Sequence, residues 1–576
     1  MRLAILSLII FFLPTTPAWA VTRYISPTGS GLLNGSSPDN AYAFTNGAGF
    51  TTALAASVPS DIIEFMLGTY NLTGSLTIDK SGTDGAPIII QGNGFASTNR
   101  NDLYQSRRAT YPTIIGTREV PHTGTDSSAG NAGTGNNIFS FLNGVDYITI
   151  RRFNLKRSQY PFSARNGGNS YITISDIYFE DVRIAFYVSA DPACDSSADE
   201  SYACPPGASD FWDIDRVYGI GVSKRAVRAD GLSNSTFDDM YATTRASNGN
   251  IIFDEFALMF WNDGAATNNT YTNIECHDPA EVTGTNFDNG DCFGSEPNSS
   301  NITFDRCYAF DAQDAGFDVK GSNIVITNSL SFKHGHYGIK AWGTATVTNT
   351  ILGFGHEGVN TRYSDGGDGR CFDAIGRITA TNVTCVNNTR VSTHQNSSIR
   401  SMGYVSGSGS APEESMIITG GTSGATARVG WMASGSTATS GTLHAFNRNG
   451  TFVVGELITA PNGFSATTGS NILVTKCGEL YTTNSIIARD RNHTPPSNEI
   501  ATDCSDAVIW NSIGDVTFNE GISGTDPQFP NISNRLWLGD NNDFNSALYT
   551  NTKGYYNLIA SPSNNYGITI TGVDVQ

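Results

Sequence analysis

Charged side chains are scarce in this sequence. They make up 15% of its 576 residues, against about 25% in an ordinary domain. Cations are scarcer still: 34 Lys and Arg stand against 53 Asp and Glu, a net charge of −19. Phosphate-backbone binding needs clustered Lys and Arg, so a nucleic-acid partner is excluded. No apolar run beyond the first twenty residues is long enough to cross a bilayer, so no membrane span is expected. No C-x-x-C or paired Cys/His spacing occurs, which excludes a zinc module. Asn, Ser and Thr replace charge on the surface. They compete with helical hydrogen bonding and favour turn-rich β structure. Disorder is excluded by 39% hydrophobic and 11% aromatic residues.

Residues 1–20 read as a secretory signal. Arg2 supplies the positive start, Leu3–Leu13 the apolar core, Pro14 its end, and Ala18-Trp19-Ala20 the cleavage site. A soluble, exported monomer, extracellular or periplasmic, is the expectation. An oxidising compartment permits disulfides. There are nine Cys, an odd number, so one at least is unpaired within the chain. Cys194 and Cys204 bracket a polar loop and form the expected local bridge. The others are compatible with buried single thiols.

Internal repetition sets the architecture. Residues 300–321 (SNITFDRCYAFDAQDAGFDVKG) and 322–343 (SNIVITNSLSFKHGHYGIKAWG) align at an offset of 22, with Ser300/Ser322, Asn301/Asn323, Ile302/Ile324, Phe310/Phe332, Gly316/Gly338 and Gly321/Gly343 identical. A period of this size marks a solenoid, and triplets such as Ile324-Val325-Ile326 are strand signals. The leucine pattern of leucine-rich repeats is missing. An Asn before an apolar run returns at Asn328, Asn349, Asn382, Asn484 and Asn511 and predicts a corner ladder. The fold class is therefore all-β, a right-handed parallel β-helix. A short helix over Phe50–Val58 is predicted to cap its start. The expected domains are a signal at 1–20, a capped β-helix at 21–402, an inserted small β module at 403–474, and final coils with a C-terminal cap at 475–576.

The same offset places chemistry. Asp318 aligns with Lys340, and Asp314 with His336. In-register side chains of adjacent strands point the same way, about 4.8 Å apart. Aligning Phe293 with Phe317 puts Asp291 one coil from Ala315. Asp314 and Asp318 would be roughly 13 Å apart on a straight strand, so sharing an ion needs a bend, which Gly316 permits. Hard carboxylate oxygens suit Ca²⁺ better than zinc. A lysine beside such a site suits β-elimination from a uronic-acid polymer, in which a base removes the proton on C5. The lysine must be neutral to act. Asp318 alone holds it protonated, so this chemistry depends on a cation nearby.

At these residues the sequence resembles polysaccharide lyase family 9, the Ca²⁺-dependent pectate lyases on parallel β-helices. Asp291-Cys292-Phe293, Asp314-Ala315-Gly316-Phe317-Asp318, Tyr337-Gly338-Ile339-Lys340-Ala341-Trp342-Gly343 and Glu357-Gly358-Val359-Asn360 resemble its four motif elements. The resemblance implies Ca²⁺ ligands at Asp291, Asp314 and Asp318 and the base at Lys340. It departs at Ala315, where the family has a second Asp, at Cys292 in place of Gly, and at Ile339 in place of an aromatic. Asp288 or water is the candidate replacement ligand. Basic and polar residues for substrate carboxylates are Lys333, His336, Asn360, Arg362 and Arg370. Trp342 is a candidate sugar-stacking ring. The start (24–44, 60–70, 81–92) is similar to secreted β-helix carbohydrate-active proteins, and the 420–460 region to small β modules of tail-fibre-like proteins. An acidic polysaccharide is thus the expected partner. Two alternatives stay open: a glycoside hydrolase using Asp291 and Asp314, and a non-catalytic carbohydrate-binding or adhesive solenoid.

Overall fold

The computed structural model describes residues 20–118, 135–165, 167–189, 209–247, 249–252, 257–280, 289–353, 355, 369–388, 391–393, 395–413, 416–432, 436–477, 479–483, 485–489, 500–502 and 512–514. The chain is an all-β, right-handed parallel β-helix built from three stacks of strands. The first stack contains Tyr160–Ala164, the ends of Ser170–Ser189 and Ser209–Asp230, then Ala257–Asp263, Gly290–Ser295, Ala315–Val319, Tyr337–Ala341, Arg370–Ala374 and Val391–Thr393. The second runs through Thr303–Phe310, Ile324–Thr327, Thr344–Thr348, Arg377–Thr381 and Glu479–Thr483. The third takes the end of Thr303–Phe310, then Leu330–Phe332, Ile351–Gly353, Thr384–Asn388 and Ser485–Arg489.

Alternation along each strand explains the core. In the first stack one inward position reads Phe162, Phe186, Val227, Phe260, Phe293, Phe317, Ile339 and Phe372, all buried. Successive rings stack: Phe162 on Phe186 at 5.1 Å, Phe260 on Phe293 at 5.4 Å and Phe293 on Phe317 at 4.9 Å. Burying each such side chain stabilises the coil by about 1.5–3 kcal/mol. The corners need left-handed backbone, which Asn tolerates better than most residues with a side chain. Asn328, Asn349 and Asn382 have φ of 51°, 50° and 55° and form the predicted ladder, Asn349 donating to Asn328 at 3.2 Å and Asn382 to Asn349 at 3.3 Å. Asn484 and Asn511 lie outside the described residues.

The N-terminal cap is a helix at Ala48–Ala56, shifted from the predicted Phe50–Val58. Gly47 in a left-handed conformation starts it, and Ser57 returns to extended backbone and ends it. Phe50 is fully buried between Phe65 and Phe139, closing the core. After Val391–Thr393 the chain leaves the coil and forms a closed antiparallel barrel of six strands, spanning Gln395–Ser408 to Ser465–Cys477. This barrel has its own core, including Met402, Ile418, Val429, Leu443, Ile458 and Phe464. The coil then resumes at Glu479–Thr483.

Two disulfides tie the first stack to the third, Cys276–Cys292 and Cys371–Cys385, Cys276 lying on Thr270–His277 opposite Ala309 of Thr303–Phe310. This corrects the expectation of single thiols at these four positions. Their separations of 16 and 14 residues carry no pairing signal, because the contact is made by coil geometry. Cys307 is free and buried. Cys194, Cys204 and residues 1–19 of the expected leader lie outside the described residues. Among the described residues no helix is long and apolar enough to cross a membrane.

Candidate active site

Positions one residue after the inward Phe column point outward. Through the middle coils this outward column reads Trp261, Gly294, Asp318, Lys340 and Asp373. Lys340 therefore stands between Asp318 on one neighbouring strand and Asp373 on the other. Its Nζ lies 3.9 Å from Asp314 Oδ2. It also lies 4.9 Å from the centre of the Tyr337 ring and 5.3 Å from that of Trp342. Burial opposes charge on Lys340, but Asp318 and then Asp314 outweigh it and raise its pKa above the ordinary lysine value. In this arrangement the amine is an ammonium.

The three predicted carboxylates gather around it, each at least 96% buried. Asp291 Oδ1 accepts a hydrogen bond from the Ala315 backbone N–H at 2.8 Å, the one-coil relation expected from the register. Asp291 Oδ2 and Asp318 Oδ1 are buried and meet no hydrogen-bond partner among the described residues. Burial pushes the Asp291 carboxyl well above the usual range, and the charges of Asp314 and Asp318 push it further. Asp314 closes the turn before Ala315–Val319, its carbonyl accepting from the His336 and Tyr337 backbone N–H groups. Gly316 lies inside that strand rather than at a bend. It supplies space, because a Cβ there would overlap the Ser331 hydroxyl.

The donor set fits a hard cation in kind. Three carboxylates crowd one ammonium, and two of their oxygens are buried without partners. It is not a ready cage: among the described residues no three His, Cys, Asp or Glu side chains are arranged to hold a metal.

The remaining predicted residues divide. His336 joins the group through its backbone, and its ring lies 5.8 Å from that of Tyr337. Arg370 stands over Tyr337 at 5.4 Å and reaches Asp373 at 3.4 Å. Lys333 sits instead at a left-handed corner with φ of 57°, where its charge acts on Asp311. Asn360, Arg362, Glu357 and Asp288 lie outside the described residues. Sequence reasoning missed Asp373. Its signal was the echo of Phe317-Asp318-Val319 in Phe372-Asp373-Ala374, hidden because the coil from Lys340 to Asp373 takes 33 residues where that from Asp318 to Lys340 takes 22.

No protein-family model matches the chain, and no curated protein matches it. Solved structures do. A rhamnogalacturonan lyase is 16% identical, with a TM-score of 0.32, over 66% of this chain and 77% of that one. Pectate lyase Pel9A is 17% identical, with a TM-score of 0.31, over 64% and 76%. The mannuronan C-5 epimerase AlgE4 A-module of Azotobacter vinelandii is 14% identical, with a TM-score of 0.31, over 59% and 84%. Similarity this low carries no activity across. The site has to be judged on its own residues.

Proposed function

We propose that this chain is an exported polysaccharide lyase, cleaving a uronic-acid polymer of the pectate type by β-elimination with Lys340 as the base. The observation that carries the reading is the position of Lys340: an amine on the outer face of the coil, set among Asp291, Asp314, Asp318 and Asp373. The Lys340 side chain is 16% exposed on that face. Once neutral, Lys340 takes the C5 proton. The electron pair left on C5 forms the C4–C5 double bond, the C4–O bond breaks, and the leaving oxygen is protonated. Arg370 adds a cation for the substrate's carboxylates, with a planar fork suited to them. Tyr337 and Trp342 flank the amine with apolar surface for the sugar ring. Held by Asp291, Asp314 and Asp318, calcium would offset their charge, favour the neutral lysine and stabilise negative charge on the substrate. The test is ultraviolet absorbance of unsaturated products on a panel of polyuronates, with and without Ca²⁺. Absence of absorbance on every polymer with Ca²⁺ present rejects the reading.

One observation favours a second reading. Burial, and then the Asp314 charge, raises the Asp291 pKa above the usual carboxyl range, and a carboxyl group raised beside a second one is the usual acid of a glycoside hydrolase. New reducing ends without unsaturation would select it.

A further inference from the structure

The coil begins where the leader is expected to end. Cleavage after Ala20 makes Val21 the first residue. Val21 already belongs to the fold. Its carbonyl accepts from the Ile62 backbone N–H at 2.9 Å. Directly after it, Thr22–Ser26 pairs in parallel with Ile62–Phe65, with Thr22 opposite Ile62. Ala20, on the other side of the bond to be cut, is exposed.

A buried carboxylate meets the Val21 nitrogen. Val21 N donates to Asp61 Oδ1 at 2.8 Å, and Asp61 is fully buried. Its other oxygen, Oδ2, accepts from Arg23 Nη1 at 2.6 Å and from the Val58 backbone N–H at 3.0 Å. Backbone bonds hold the carboxylate in place. The Asp61 N–H donates to the Val58 carbonyl at 3.0 Å, and the Asp61 carbonyl accepts from the Ile89 N–H at 2.9 Å. Arg23 also donates to the Ala56 carbonyl at 2.7 Å, at the end of the capping helix. Asp61 thus ties the first strand to the turn after the cap, at the open end of the core. In an uncleaved chain, Oδ1 receives only a neutral amide N–H. Yet 2.8 Å is also the length of a charge-assisted bond from nitrogen to a carboxylate. The nitrogen is in position before it carries a charge.

We infer that Asp61 is a preformed acceptor for a new amino terminus: cleavage of the Ala20–Val21 bond by an export-linked peptidase sets the Val21 ammonium on Asp61 Oδ1 and locks the first turn of the coil. The step is a hydrolysis. The C–N bond breaks, the oxygen of one water joins the Ala20 carbonyl to give a carboxylate, and both its hydrogens go to the Val21 nitrogen to give the ammonium. Arg23 keeps Oδ2, so each carboxylate oxygen faces one cation. The end of a solenoid frays most easily, because its first turn has a neighbour on one side only. Val21 is about half exposed, so solvent screens the new bond and its effect stays local to that end. The site is independent of the chemistry at Lys340 and shares with the lyase reading only the export of the chain.

The first readout is the start of the exported protein. The full 576-residue chain is expressed in a secreting bacterial host, and mass spectrometry of the exported product is expected to show Val21 first. Another start, or a retained leader, overturns the site. The second readout compares chains beginning at Val21 and at Ala20, each released from an amino-terminal fusion without added residues. Hydrogen exchange over Thr22–Ser26 and Ile62–Phe65 is expected to be about tenfold slower for the Val21 start, with the Lys340 coils unchanged. Asp61→Asn is expected to remove that difference. A carboxylate that only ties backbone together would protect both starts equally, so equal exchange overturns the inference, as does a difference that survives Asp61→Asn. If Asp61→Asn fails to fold, acylation of the α-amino group carries the test with Asp61 intact. Its pH midpoint is expected to lie about one unit higher for the Val21 start than for the Ala20 start, and equal midpoints overturn the ion pair.

Discussion

Lys340→Arg separates the two things Lys340 does. Its ammonium lies 3.9 Å from Asp314 Oδ2. At an effective dielectric of about 20 that pair alone is worth about 4 kcal/mol of gross attraction, before desolvation is subtracted. Deleting the charge, as in Lys340→Met, leaves Asp291, Asp314 and Asp318 without a counter-charge and is expected to cost a few kcal/mol of stability. Arginine keeps the charge, so Lys340→Arg should melt close to the wild type. A guanidinium cannot give up its proton at any working pH. If Lys340 is the base, turnover should fall by about 10²–10⁴, or roughly 2.7–5.5 kcal/mol in the barrier. The assay is initial rate of unsaturated product with Ca²⁺, paired with a thermal melt of each variant. An Arg variant that turns over like the wild type refutes Lys340 as the base. A Met variant as stable as the wild type refutes the electrostatic account of the cluster.

Three further outcomes are expected. Calcium should raise the melting temperature, by an amount equivalent to about 2.7 kcal/mol at a hundredfold excess over its dissociation constant, and Asp291→Asn with Asp318→Asn should abolish that rise; an equal rise in the double variant places the ion elsewhere. Reducing Cys276–Cys292 or Cys371–Cys385, which close 16- and 14-residue loops, should each cost about 3 kcal/mol, and unchanged melting in reductant would count against both bridges. Burial, then Glu180, raises the Asp181 pKa to about 6. The folded state then binds more protons than the unfolded one between about pH 4 and 6, so stability should fall as pH rises through that window, by up to about 3 kcal/mol. Asp181→Asn should flatten this slope, and a slope that survives the substitution assigns the effect to another group.

The register of the middle coils was legible because a constant offset becomes a contact. The 22-residue shift between 300–321 and 322–343 pairs Asp318 with Lys340 directly, and the Asn328–Asn349–Asn382 corner follows from the same rule. The rule fails where the connections change length. The 33 residues from Lys340 to Asp373 and the 33 from Val227 to Phe260 hide real neighbours at the wrong period. Both disulfides were missed for a related reason, since they join positions that are close only after the coil has turned a corner.

Composition and repeat alone determined the coiled all-β fold and the pairing of Asp318 with Lys340 on one face, because strand alternation and in-register stacking convert a sequence pattern into a direction in space. Only the tertiary structure decided the rest: that Asp373 stands beside Lys340 on the strand opposite Asp318, and that Gly316 makes room instead of a bend. Each of these depends on how much water and which atoms from other coils surround a side chain. A one-dimensional pattern does not carry that information.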